Sequence, residues 1–310
     1  GVRRRLATPA ARLMATLLSR LARVLRGGDP PTDDAGADHG IPDALWQPVI
    51  AGHRFLARLS PQHKQRLRAL SAAFLARKEF TGAGDLVVTD AMALAVAAQA
   101  CLPLLHITAT QSPAHALRWY DDFVGIVLQP GEVLAHRSRQ DEAGVVHEWQ
   151  EELAGESMDG GPVMLAWADV ARADATADEG FNVVIHEFAH KIDERDGVAD
   201  GCPPLPPGFL GARTAAQARE RWHERFDALY ADFCERVTAA ERFGGLVQPP
   251  WLDAYGAESP VEFFAVASEA YWVAPSVFRR EHAPLFELLD LFYGFGEGVT
   301  TGHPEGTSAR

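Results

Sequence analysis

The sequence predicts a helix-rich α+β fold, and three observations carry that prediction. Apolar residues recur at helical spacing through most of the chain. Only three short stretches have strand character, and they alternate with helical patterns in mixed order, which implies a small mixed sheet. Residues 178–197 read as one strongly patterned helix with polar signals at both ends. Of 310 residues, 47% are hydrophobic and 23% charged, which supplies a sizeable core and excludes a disordered or fibrous chain.

Residues 1–26 hold seven arginines and no acid, with Leu6, Leu13, Leu17, Leu18, Leu21 and Leu25 at helical spacing. A basic amphipathic helix of this kind packs on the body or on a partner, with an anionic membrane surface as the alternative. The arginines that break the apolar block argue against a secretory signal. Residues 27–40, GGDPPTDDAGADHG, have linker composition, so the body starts near Ile41. Residues 45–80 are helical in pattern. Ser60-Pro61 supplies an N-cap and a first-turn proline, followed by the stripe Leu67, Leu70, Phe74 and Leu75. A turn and short strand over 80–89 lead into a buried helix at Asp90. The apolar run 91–105 is too short to span a bilayer and is interrupted by Pro103. Strands are expected over 120–128 and 160–170, a Pro/Gly-rich loop over 198–218, a charged helix over 215–242 and another over 259–272. The Gly/Thr/Ser-rich residues 296–310 read as a disordered tail.

Charge and cysteine usage narrow the functional classes. There are 29 basic and 42 acidic residues, a formal net charge of −13, and the arginine-rich start leaves −20 on the rest. Such a chain is unsuited to general binding of nucleic acid phosphates. Cys101, Cys202 and Cys234 are far apart, odd in number and in no C-x-x-C pair. That argues against a disulfide framework and for a reducing, cytoplasmic setting. No phosphate-binding glycine loop occurs.

The chemistry-bearing segment is His186-Glu187-Phe188-Ala189-His190, an H-E-x-x-H motif inside the helical pattern. Residues four apart lie one turn above each other on the same helix face, so the two imidazoles can converge on one metal. Glu187 sits one step round, where its carboxylate reaches a water beside the metal rather than the metal itself. A catalytic zinc takes three protein ligands and keeps one open position. No third histidine follows at the metzincin spacing, since positions 196 and 197 are Asp and Gly. The candidates lie in a second helix opened by Ser259-Pro260: Glu262 in its first turn, Glu269 seven residues on, and Glu258 just before it. Spacing alone does not choose among them. Asp193, three residues past His190, reads either as an acid that orients a ligand imidazole or as a surface residue at the helix end. The H-E-x-x-E run at 147–151 lacks a second histidine and reads as a surface helix.

Two blocks resemble the Mlc titration factor family of bacterial zinc peptidases. They are His186-Glu187-Phe188-Ala189-His190-Lys191-Ile192-Asp193 and the run 254–265, AYGAESPVEFFA. Gly155-Glu156-Ser157, Gly161-Pro162-Val163 and Trp167 resemble the block preceding that family's active-site helix, and the likeness runs over about 45–293. In the two main blocks the chain is also similar to the catalytic domain of anthrax lethal factor. The resemblance implies a gluzincin-type zinc peptidase domain over 41–295, with an N-terminal helical part over about 41–140 and a catalytic part over about 141–295. It implies one zinc ion (Zn2+) per chain on His186, His190 and Glu262, Glu187 as general base, and Tyr255 facing the metal. A peptide or protein substrate follows, with aminopeptidase-like action on short peptides. The family's namesake binds a transcriptional repressor of sugar uptake, so the resemblance also implies a repressor as a partner. The stretch between His190 and Tyr255 carries the Pro-rich loop 202–208 and is longer than the family's usual, which bears on substrate choice.

Overall fold

The computed structural model describes residues 40–131, 161–244 and 246–294. The basic helix and linker at 1–39, the H-E-x-x-E run, the Gly155–Ser157 block and the tail at 296–310 lie outside the described residues. In chain order the main elements are α1 (Asp43–Ala51), α2 (Pro61–Leu75), β1 (Glu79–Gly82), α3 (Asp90–Cys101), β2 (Gly125–Gln129), β3 (Val163–Ala166), α4 (Trp167–Thr176), α5 (Val183–Asp193), α6 (Ala215–Arg242), α7 (Pro260–Val273), α8 (Pro275–Glu281) and α9 (Ala283–Tyr293). Helical single turns and 3-10 turns lie in several of the described connections. None of these helices is long and apolar enough to cross a membrane. The described residues cluster into two compact units, 40–101 with 121–131 and 161–174, and 102–120 with 175–294.

The first unit is built on a three-stranded sheet in the order β1-β2-β3. Both pairings are parallel, with Phe80 opposite Ile126 and Leu128 opposite Leu165. Among the described residues the sheet, expected to be mixed, has parallel pairs only. Residues 83–124 and 130–162 separate the strands, long enough for the crossovers that parallel pairs need, whereas a short hairpin loop would force an antiparallel pair. The strands are also shorter than the sequence suggests. The expected strand over 160–170 ends at Ala166, where helix α4 begins at Trp167, and that over 120–128 starts only at Gly125. Helix α2 follows its cap signal: Ser60 Oγ accepts from His63 N at 3.1 Å, with Pro61 in the first turn. Its Leu67, Leu70 and Phe74 are fully buried, and α3 is buried from Leu94 to Cys101. A helix apolar on all sides belongs in a core.

The second unit holds α5 to α9 around an aromatic core. Phe263 and Phe264 of α7 pack with Trp222, Phe226 and Phe233 of α6, and Phe292 of α9 closes on Trp222 and Phe264. Trp222 stacks on Phe226 at 5.4 Å and Phe233 on Phe263 at 5.0 Å. Each fully buried ring of this kind contributes about 2–3 kcal/mol through the area it removes from water. Helices α5 and α7 pack on each other, and α7 is buried without interruption from Phe263 to Ala270. The two helices that carry the chemistry-bearing residues are therefore packed on each other within the unit's core.

The expected helix over 178–197 is in fact three pieces. Gly180, in the left-handed region at φ 83°, ends a 3-10 turn (Ala177–Glu179) whose acids the sequence reading assigned to the helix. Helix α5 starts after Asn182, whose side chain accepts from Ile185 N at 2.9 Å. It ends at Asp193 and passes into a 3-10 turn that Gly197 terminates at φ 91°.

Candidate active site

Asn182 caps α5 so that His186 and His190 project on one face of the helix. Ser259 does the same for α7. Its Oγ accepts from Glu262 N at 3.2 Å and Pro260 occupies the first turn, which seats Glu262 three residues past the cap. In an ordinary capping box that carboxylate turns back toward the cap's own N–H. Here it meets the histidines. Glu262 Oε2 lies 3.1 Å from His186 Nε2 and 3.5 Å from His190 Nε2, and the two ring nitrogens are 3.1 Å apart. A tetrahedral zinc with bonds of about 2.0–2.1 Å needs ligand atoms about 3.3–3.4 Å from one another. Three lone-pair atoms from two helices thus stand at the corners of such a tetrahedron.

Glu262 Oε2 is buried and faces both imidazoles. A buried carboxylate costs several kcal/mol unless positive charge or hydrogen bonds compensate it. The electrostatics agree. Burial opposes protonation of His186, but Glu269, Glu262 and Glu187 outweigh it and raise its pKa to about 10. Burial likewise opposes ionisation of Glu262, yet the two histidines hold it well below the usual carboxylate range. The surroundings therefore favour positive charge at the point where the three ligand atoms meet.

Of the residues named from sequence, His186, His190 and Glu262 come together here. Tyr255 belongs to a 3-10 turn (Ala254–Ala257) whose cap Asp253 accepts from Tyr255 N at 3.0 Å. Its ring lies 6.0 Å from that of His186. Burial, with Glu262 and Glu187 close by, pushes its hydroxyl far above the ordinary phenol range, so it stays a neutral donor. Glu269, one of the open alternatives for the third ligand, is buried behind His186 instead. Its Oε1 meets His186 Nδ1 at 2.8 Å, and its Oε2 accepts from Asn182 N. One carboxylate thus fixes both the ring and the cap of α5, as the outer partners of ligating histidines commonly do. Glu258 lies at the end of the Tyr255 turn and is not among the clustered ligand atoms.

Asp193 is not a surface residue, as one of the two sequence readings had it. It is fully buried, and its Oδ2 accepts from Gly201 N at 2.9 Å. Burial outweighs that hydrogen bond and raises its pKa to about 7. A carboxyl whose folded pKa lies above its ordinary value of about 3.9 stabilises the fold in its protonated form. Its contribution is present below about pH 4 and is lost as pH rises through about 7. In chelator-treated protein, Asp193→Asn is therefore expected to flatten the dependence of the melting temperature on pH between about 4 and 7, measured by calorimetry. An unchanged slope would show that other groups set it.

Comparison with known proteins shows the family. Residues 32–294 match the model of the family Peptidase_M90, described as glucose-regulated metallo-peptidase M90. The chain belongs to this family. A Peptidase_M90 member is a metallopeptidase by family, which implies a metal, and His186, His190 and Glu262 are a set able to hold one. Among curated relatives, "Uncharacterized protein slr2042" of Synechocystis is 32% identical over 250 residues, covering 80% of this chain and 82% of the relative. Mlc titration factor A of Edwardsiella ictaluri is 32% identical over 252 residues, 81% of this chain and 87% of the relative. The Klebsiella pneumoniae protein of the same name is 29% identical over 260 residues, with 84% and 89% covered.

Proposed function

We propose that the chain is a zinc-dependent metallopeptidase that hydrolyses peptide bonds, aminopeptidase-like on short peptides and working in the cytoplasm. The observation that carries this reading is the triangle of His186 Nε2, His190 Nε2 and Glu262 Oε2, with sides of 3.1–3.5 Å. Two imidazoles and one carboxylate suit zinc, and three ligands leave a fourth position open. When bound, zinc supplies Lewis acidity there, bringing the pKa of water toward 7 and polarising the scissile carbonyl.

The protein's own groups do the rest. Glu187, next to His186, takes the proton of the attacking water and delivers it to the leaving amine. Its charge contributes to the raised pKa of both His186 and Tyr255, which supports this role. Tyr255 donates a hydrogen bond to the carbonyl oxygen as negative charge develops on it. Glu269 holds the His186 ring through Nδ1, which leaves Nε2 free to serve as a metal ligand beside His190 and Glu262. The test combines elemental analysis of the purified chain with a panel of chromogenic peptides, free or blocked at the amino terminus, with and without chelator. One zinc per chain and chelator-sensitive cleavage of the unblocked peptides are expected. Cleavage that survives complete metal removal rejects the reading.

A second reading rests on the relatives named Mlc titration factor A. In it the chain binds a transcriptional repressor of sugar uptake, and peptidase activity is secondary. A Glu187→Gln protein that still binds the repressor would separate the two roles.

A further inference from the structure

The residues just past α5 form a second cluster that the peptidase chemistry does not use. Asp200 and Cys202 flank Gly201, and His223 stands on α6; a carboxylate oxygen, the Sγ and a ring nitrogen lie within 4.8 Å of one another. Cys202 is buried, whereas Asp200 and His223 are about a third exposed at their side chains, so the cluster is open on one side. His223 Nε2 lies 3.4 Å from Asp200 Oδ2.

Two of these groups, His223 and Asp200, have outer partners that orient them, while the Cys202 thiol, pushed up to about 12 by burial, donates to the Pro203 carbonyl at 3.8 Å and becomes a thiolate only on giving up its proton to a metal. The other ring nitrogen of His223, Nδ1, meets Asp227 Oδ1 at 3.4 Å, one helical turn on. Asp200 Oδ1 accepts from Cys202 N at 3.1 Å, and Oδ2 accepts from Arg219, whose other nitrogen bonds Asp196 at 2.9 Å. Ligating histidines and carboxylates are commonly held by such outer partners. Arg219 keeps Asp196 as its own counter-charge, so it can remain beside Asp200 when a cation approaches the carboxylate's other lone pair. The backbone is fixed as well. Gly201, at φ 77°, donates to Asp193, and its carbonyl accepts from Trp222 Nε1 at 2.8 Å. A Cβ at position 201 would stand 2.5 Å from the Pro260 carbonyl oxygen, so no other residue fits between Asp193 and the start of α7.

We propose that Asp200, Cys202 and His223 form a second metal site, for a borderline transition ion such as zinc or cobalt held through a thiolate, an imidazole and a carboxylate. A thiolate in the set selects against magnesium and calcium. Occupancy joins the Pro-rich loop to α6 at a point one hydrogen bond from α5, through Gly201 and Asp193, and so restrains the segment that Asp193 anchors.

The site has a signature that the His186/His190/Glu262 site lacks, because sulfur occurs only here. Reduced, metal-free full-length protein is titrated with Co2+, and the near-ultraviolet thiolate-to-cobalt charge-transfer band is followed. The band is expected with one bound equivalent. Cys202→Ser and His223→Ala should each lose the band together with that equivalent, whereas Cys234→Ser should keep both. The His186→Ala protein should keep the band, so the readout does not depend on the peptidase site. Absence of the band in the unaltered protein, or its persistence in folded Cys202→Ser protein, overturns the proposal. Circular dichroism establishes that each variant is folded.

Discussion

Replacing Glu187 by Gln is expected to lower kcat for peptide cleavage by about 10²–10⁴-fold while bound metal stays near one equivalent. Gln has the shape of Glu and hydrogen-bonds similarly, so α5 keeps its packing and its two histidines keep their aim. What is lost is a group able to accept a proton. General bases contribute on the order of 10²–10⁴ in rate, or about 3–5 kcal/mol of barrier. The variant also loses one of the negative charges that support positive charge at His186. Glu269 and Glu262 remain, and Glu269 precedes Glu187 in importance there, so metal retention is expected to change little. The measurement is paired: steady-state cleavage of a chromogenic peptide and metal content of the same sample. Unchanged kcat with full metal would remove Glu187 from the mechanism. A parallel loss of metal would instead mean that Glu187 supports the ligand set.

Much of this site is legible in the sequence because its signals are local. His186 and His190 are one turn apart, and Ser259-Pro260 announces the helix on which Glu262 sits at a fixed distance from its cap. Both facts survive any error about the rest of the fold. Glu262 emerges as third ligand only through the resemblance of the 254–265 run, since Glu269 shares its helix and residue type. What separates the two glutamates is a contact spanning 83 residues, between Glu269 and His186 Nδ1. No window of local sequence contains it. Asp193 is obscured for the same reason. Its position at a helix end suggests solvent, but the returning loop covers it and Gly201 binds it. The sheet shows a related limit. Strand character marked the three regions, whereas the parallel direction follows from long connections whose course the sequence does not reveal. The break at Gly180 was a local signal read too weakly, because acids ahead of an apolar run resemble a helix start.

The two glutamates of α7 give the sharpest test of the ligand assignment, because they differ in depth and in which side of His186 they meet. Glu262→Ala removes one of three ligand atoms, and metal is expected to be lost at micromolar protein concentration. Glu269→Gln leaves all three in place and weakens only the hold on the His186 ring, a change that typically costs 10–100-fold in affinity. At about 1.4 kcal/mol per tenfold, that is roughly 1.4–2.8 kcal/mol. The conservative replacement matters at 269, because Glu269 is buried and also accepts from Asn182 N, so Ala would disturb the cap of α5 as well as the ring. Affinities are read by competition with a chromophoric chelator. The pH adds a check with a defined sign: His186, raised to about 10, is protonated near neutrality, yet only the neutral imidazole can ligate. Metal uptake by the unaltered protein should therefore release a proton and tighten as pH rises from about 6 to 9. Glu269→Gln should weaken that dependence, because Glu269 is the strongest of the groups raising His186. If Glu269→Gln lost metal more completely than Glu262→Ala, the two residues would have to exchange roles, and the geometry at His186 Nε2 would no longer describe the site.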